Sequence, residues 1–332
     1  MSDIAVTTPE ATPGVAEGGA EPGAGRPGRA TGARIHRALG AVPTGVLWAL
    51  VIVWTLPSLG LLVSSFRAED AVKGSGWWTV VTDPQLTLDN YRAAFSSSGS
   101  DAPDMWQHFA NSIAITVPAT VIPIAIAAFA AYAFAWMDFK GRHWLFIGVV
   151  ALLAVPLQMS LIPLLQLFTG GAHLTVFGET VTVFPYLDLA GTPTAVWITH
   201  IGFGLPLAIF LLHNYVSSLP RDVFEAARID GADHPTIFWR LVVPLSVPAL
   251  AAFAIFQFLW VWNDYLVAVT FLGSNSPDAP MTVRLATLSG GRGEDWHLLT
   301  AGAFVVTAVP LLVFFALQRY FVRGLLAGSV KG

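Results

Sequence analysis

Two things are scarce in this 332-residue chain: cysteine, of which there is none, and charge, which makes up 11% of the residues. The missing cysteines exclude a structural disulfide, thiolate ligation of zinc and a cysteine nucleophile, and they leave the redox compartment open. The scarcity of charge reaches further. A soluble domain carries about 25% charged residues, so most of this surface is not built to face water. No acidic or basic residue stands in the middle of any long apolar run. That removes the buried ionisable groups an ion-coupled carrier places near the bilayer midplane, and no internal repeat compensates. There is no H-E-x-x-H, and no Ser–His pair within the apolar runs suits nucleophilic catalysis. No G-x-x-x-x-G-K-[ST] phosphate loop occurs either, because GGRGEDW at 290–296 lacks both the spacing and the Lys-Ser/Thr ending. The chain is therefore not expected to bind ATP, to hold a metal or to act as an enzyme.

What is abundant is apolar: 55% of the residues. They gather into six runs, at 43–65, 111–136, 143–168, 194–216, 243–266 and 298–321. Each is near or above the ~20 residues a helix needs to cross about 30 Å of hydrocarbon. In lipid a chain segment must satisfy its own backbone, which leaves helix as the expected form. The fold class is thus an all-α polytopic membrane protein with six transmembrane helices. Prolines at 118, 123, 156, 163, 206, 248 and 310 are expected to kink packed helices. Residues 1–40, rich in Gly, Ala, Pro and Thr, cannot bury enough apolar area to fold and read as a disordered segment. A six-helix domain over 41–321 and a tail over 322–332 complete the organisation.

Lys and Arg set the orientation. With the N-terminus inside, the inner segments hold Arg26, Arg29, Arg34, Arg37, Lys140, Arg142, Arg221, Arg228, Arg240, Arg319, Arg323 and Lys331. The outer loops hold Arg67, Lys73, Arg92, Arg284 and Arg292, and six acids fall between 69 and 104. Both termini are expected in the cytoplasm. One compact polar stretch, FEAARIDGADHPTIF at 224–238, then lies on the inner face between two apolar runs.

That stretch has the grammar of two short helices. Pro220 and Asp222 suit a first turn, Gly231 suits a left-handed stop, and Asp233 can cap a second helix beginning near Pro235. Ala226 and Ala227 keep one flank thin, and Phe224 is expected to project as an apolar knob for a groove in another protein. An ordinary amphipathic connector on the membrane surface has the same physics.

The residues themselves carry a resemblance. EAARIDGADHPTIFWRLVVPLSVPAL is similar to the EAA motif of ABC importer permeases, with Glu225, Ala226, Ala227, Gly231 and Pro244 at the motif positions. FQFLWVWNDYLVAVTFLG at 256–273 and QRYFVRGLLAGSVKG at 318–332 resemble the fifth-helix signature and tail of the carbohydrate-uptake permeases of the maltose-transporter type, smaller six-helix subunit. The likeness covers about 45–332 and is strongest over 204–273 and 318–332.

The resemblance implies a permease subunit of an ATP-driven, binding-protein-dependent importer of a sugar, a di- or oligosaccharide, in the bacterial inner membrane. Phe224, Glu225, Ala226, Ala227, Arg228, Asp230 and Gly231, within 219–240, would form the coupling helix against the ATPase. Gly328 and Lys331 in the tail would also reach that ATPase. The implied partners are a second permease, two cytoplasmic ATPase subunits that bind the ATP and Mg, and an external solute-binding protein. No nucleic acid is implied. An importer of a non-sugar solute and an ion-coupled carrier are the alternatives.

Gln158, Gln257, Asn263 and Asp264 are candidates for a substrate path, the glutamines because neutral hydrogen bonders read sugar hydroxyls, and Asp264, beside Asn263, because it is the most conspicuous acid near a membrane segment. His200, His213 and Gln166 are of the same type as the glutamines. Interhelical packing uses the same residues, and Asp264 equally suits a helix end beside Trp260 and Trp262. The loop at 274–297 falls where the family places a loop that probes the binding protein, and Gly290, Gly291 and Gly293 would keep it mobile. The outer segments 67–110 and 169–194 are longer than simple turns require.

Overall fold

The computed structural model describes residues 43–95, 105–177, 179–288 and 295–329, with side chains to Gln318. The expected disordered segment at 1–40, the glycines at 290, 291 and 293, and Lys331 all lie outside the described residues. The chain divides after Pro57 into two compact units. The first contributes most of helix α1 (Thr44–Ser65).

Among the described residues five helices are long and apolar enough to span a bilayer: α1; α4 (Met105–Trp136); α7 (Pro193–Ser217); the continuous His234–Trp262, which contains α9 (His234–Ile237) and α10 (Val243–Trp262); and α13 (Trp296–Ser329) over its first 23 residues. The third apolar run is not one straight helix. It is α5 (Arg142–Ala151) and α6 (Leu157–Gly170), bent by 103°, and counts as a sixth span only if the pair is taken together. Its cause is local. Pro156 forces the preceding Val155 out of the helical region, to φ −78° and ψ 120°. The turn before it tightens into a 3-10 helix at Leu152–Ala154.

The fifth span also departs from the expected run. It starts nine residues earlier, at His234, and stops at Trp262 rather than reaching 266. Pro244 has no N–H for the carbonyl of Arg240, and the wide π turn at Phe238–Val242 absorbs the mismatch. Beyond Trp262 the backbone breaks before the short α11 (Leu266–Leu272).

The larger unit is organised around α4 and α7, which make its most extensive helix pair. Small residues recur every fourth position on α4, at Ala119, Ala127 and Ala131, with Pro123 in the same row, and all are buried. They meet Ala195 and Ala208 of α7, also fully buried. Between helices in lipid there is no hydrophobic drive, so close backbone approach of this kind supplies the packing energy. α10 lies against both.

The outer segments are structured. After α1 come α2 (Glu69–Gly74), a 3-10 turn at Trp77–Val81 and α3 (Asp89–Phe95). Arg67 is buried among them, donating to Gly76 O at 2.8 Å, Ser75 Oγ at 2.9 Å and Thr79 Oγ1 at 3.0 Å. A guanidinium can be buried only with partners of this sort. Between α6 and α7 stands an antiparallel hairpin, β1 (Ala172–Val176) and β2 (Glu179–Phe184), which adds a small strand element to a fold expected to be all helical. Last before α13 comes α12 (Met281–Leu288).

Candidate functional site

The polar stretch folds as its sequence grammar requires. α8 (Arg221–Ile229) starts after Pro220 in an extended conformation, and Asp222 sits in the first turn at the positive end of the helix dipole. At its end the Gly231 N–H donates to Arg228 O at 3.0 Å and the Ala232 N–H to Ala227 O at 2.9 Å. This pair of reversed bonds needs a left-handed residue between them, and Gly231 supplies it at φ +81°. Asp233 then caps α9 by accepting from the Thr236 N–H at 2.9 Å. Its bond with Thr236 holds the carboxyl below the usual carboxylate range.

One expectation is overturned. Phe224 does not project as a knob: it is 1% exposed and stacks on Trp136, at the end of α4, with ring centroids 3.8 Å apart and planes 12° from parallel. Apolar burial draws it inward, because the α4 end offers an aromatic face. Ala227 packs against the same cluster. The exposed apolar edge of α8 is instead Val223, Ala226 and Ile229, with Ile229 86% exposed. Glu225, Arg228 and Asp230 flank it, all exposed. The spacing i, i+3, i+6 that puts those three on one side of a helix was available in the sequence.

α8 is fastened to α4 by the Phe224–Trp136 stack and one longer contact, and α4 is fastened in turn to α7 and to the start of the fifth span. Arg228 Nη2 lies 3.5 Å from Trp136 O. Trp136 Nε1 donates to Val216 O of α7 at 3.2 Å. The Tyr132 hydroxyl is hydrogen bonded to His234 Nδ1 at 2.8 Å, and Phe129 stacks on Phe238 at 4.4 Å. α8 thus rests on α4, which itself packs on α9 and the π turn, and α8 joins α9 through the bend at Gly231.

The four candidates for a substrate path are not brought together. Gln257 is fully buried and donates to Ala119 O at 3.1 Å and His200 O at 3.5 Å, tying α10 to α4 and α7. Asp264 accepts from the Ala268 N–H at 2.9 Å and the Val267 N–H at 3.3 Å, capping α11, with His200 Nε2 3.8 Å away. Asn263 is exposed and bonds back to Leu259 O of its own helix at 2.7 Å. Gln158 is exposed on α6. A cavity of about 650 Å³ opens between the bend of α5–α6, α7 and α10. Its walls are apolar, including Leu153, Leu164, Phe203, Phe256 and Trp260, with Gln257 and Thr199 among its few polar linings.

Gly328 lies on the last helical turn of α13, which continues past the expected span end at 321. Among the described residues no cluster of His, Asp and Glu could hold a metal.

Residues 123–326 match the family of binding-protein-dependent transport system inner membrane components. The osmoprotective compounds uptake permease protein GgtD of Synechocystis is 55% identical over 286 residues, covering 85% of this chain and 89% of that protein. The alpha-glucoside transport system permease protein AglG of Rhizobium meliloti is 54% identical over 272 residues, covering 82% and 67%. Among solved structures, a bacterial ABC transporter that imports the acidic polysaccharide alginate shares the fold, with a TM-score of 0.63 at 20% identity over 87% of this chain and 98% of that one.

Proposed function

This chain belongs to the family of binding-protein-dependent transport system inner membrane components, and from that premise we propose how it works and what it carries. It is a multi-pass permease, a transport subunit rather than an enzyme. In our reading it sits in a bacterial inner membrane with both termini in the cytoplasm, an orientation supported by the distribution of Lys and Arg. α8 then faces the cytoplasm. A chain without a phosphate loop must take its energy from elsewhere, so two ATPase subunits bind the ATP and Mg and grip α8. A second permease completes the pore, and an external binding protein delivers the solute.

The observation that carries this reading is the two-sidedness of α8. Phe224 and Ala227 anchor it to the end of α4, while Val223, Ala226 and Ile229 stay uncovered between charged neighbours. Closure of the ATPase pair would push α8, and the Trp136 contacts and the bend at Gly231 would pass that movement to α4 and α10. ATP-bound and free ATPase differ in how they hold α8, and that difference is the free energy that shifts the permease between outward- and inward-facing states.

The cargo is a small α-linked saccharide, supported by the likeness to AglG. The apolar cavity beside α6 would leave sugar hydroxyls without partners, so the second permease must supply the polar contacts. A small osmoprotectant is the second reading, favoured by the likeness to GgtD.

Binding of the ATPase to the detergent-solubilised chain tests the coupling surface. Ile229→Asp should abolish it while the chain still inserts and folds. Undiminished binding would contradict the assignment. Thermal shift of the external binding protein with maltose and with glycine betaine separates the two cargo readings.

A further inference from the structure

We propose that Gln257 and Trp262 are positioning residues that fasten α10 to the proline hinges of two other spans, so that those spans follow α10 as one body. This rests on the reading that α8 receives the motor's movement.

A proline inside a helix removes the N–H that would bond the carbonyl four residues earlier. Pro123 of α4 leaves Ala119 O without its helical donor, and Pro310 of α13 leaves Val306 O without its own. Both vacancies are filled by α10. Gln257 Nε2 donates to Ala119 O at 3.1 Å, and Trp262 Nε1 donates to Val306 O at 3.1 Å. Both donors are buried, Gln257 completely and Trp262 to 2% exposure. Five residues separate them, or about 140° around the helix, which is why one serves α4 and the other α13.

A carbonyl freed by proline is the point at which a span can bend. A donor from a neighbouring helix satisfies it and fixes where the hinge sits relative to that neighbour. Gly204 of α7 shows how closely the Gln257 site is fitted: a Cβ there would stand 2.7 Å from Gln257 Oε1. α10 is also the span continuous with α9, just past the Gly231 bend that ends α8. The span that follows the coupling surface in the chain therefore holds both hinges.

A purely structural role would only fill the vacancies, and the two roles can be separated. Pro123→Ala restores a backbone donor for Ala119 O and leaves Gln257 with no carbonyl to rescue. The experiment uses the purified complex of this chain with its partner subunits. Spin labels go at Lys140→Cys, beyond the end of α4, and Arg240→Cys, in the π turn leading into α10. The chain has no native cysteine to interfere. Distances are read without nucleotide and after trapping with Mg-ATP and vanadate.

With Gln257 present, the distance should be narrow and the same in both states. In Gln257→Leu/Pro123→Ala, thermal stability should match that of the unsubstituted complex. The distance should nonetheless split on trapping, with the detached population raised about three- to tenfold, as loss of one interhelical hydrogen bond implies. A single narrow distance in both states of that double variant would overturn the proposal. So would a distance that already changes with nucleotide in the unsubstituted complex. Trp262→Phe/Pro310→Ala, read between Arg240→Cys and Gln318→Cys, gives the same decision for α13 should the first variant fail to assemble. Absence of an ATPase from the unsubstituted complex would instead overturn the importer reading, and this proposal with it.

Discussion

Replacing Phe224 by alanine should release α8 from α4 while leaving both helices formed. Phe224 is 1% exposed and lies flat on Trp136 with centroids 3.8 Å apart. Truncating a buried phenylalanine costs about 3–5 kcal/mol, and about 3 is the appropriate end here, because α8 lies at the edge of the core. The other tie to α4, Arg228 Nη2 to Trp136 O at 3.5 Å, is long and exposed and cannot hold the helix by itself. A loss of about 3 kcal/mol raises the undocked population roughly 100-fold. Amide hydrogen exchange in detergent over residues 221–231 should therefore quicken by that factor, with α7 unchanged. Ile229→Ala, at a side chain 86% exposed, should leave exchange in the isolated chain untouched. If Phe224→Ala exchanges like the unsubstituted chain, the aromatic stack is not what seats α8, and the route from α8 to α4 fails with it.

Gly231→Val should uncouple the importer. A Cβ at 231 would meet nothing within 4 Å, so the cost is backbone strain at φ +81°, about 1–2 kcal/mol. ATP hydrolysis should continue while uptake per ATP falls, and unchanged uptake would refute this. Gly204→Ala should press on Gln257 and destabilise the chain by about 1–3 kcal/mol, read as a lower melting temperature in detergent. Asp233→Ala should weaken the start of α9, whereas Asp233→Asn should keep the cap. Because its bond with Thr236 lowers the folded-state pKa of Asp233, that stabilisation is full above the ordinary carboxylate range. It is lost as pH falls through the lowered value. Protection of the amides of His234, Thr236 and Ile237, taken relative to the intrinsic exchange rate at each pH, should then fall in acid for the native chain and not for the Asn variant.

The spans were legible because apolar runs of membrane length leave few alternatives. The caps at Gly231 and Asp233 were legible because each rests on a residue's own backbone chemistry. Features set by tertiary contact were harder to read. Phe224 turned inward because Trp136, 88 positions earlier, offers it a face, and no local pattern announces that. Gln257 is a tie to α4 because Pro123, far away in the chain, vacates a carbonyl. The kink expected at Pro156 is present, as the 103° bend of the third run. One miss had a signal in the sequence. The alternation of Thr and Val at 180–183 marks β2, which lay unread within a long outer segment.

The central claim is that an ATPase holds this permease by the outer edge of α8. The most direct measurement is to recover the tagged chain from its native membrane in mild detergent and identify its companions by mass spectrometry. Alongside it goes a variant with Val223, Ala226 and Ile229 all changed to Asp. An ATPase and a second permease should accompany the native chain, and the variant should keep the permease and lose the ATPase. A native chain that comes out alone and still transports, or a variant that retains the ATPase, would contradict the account.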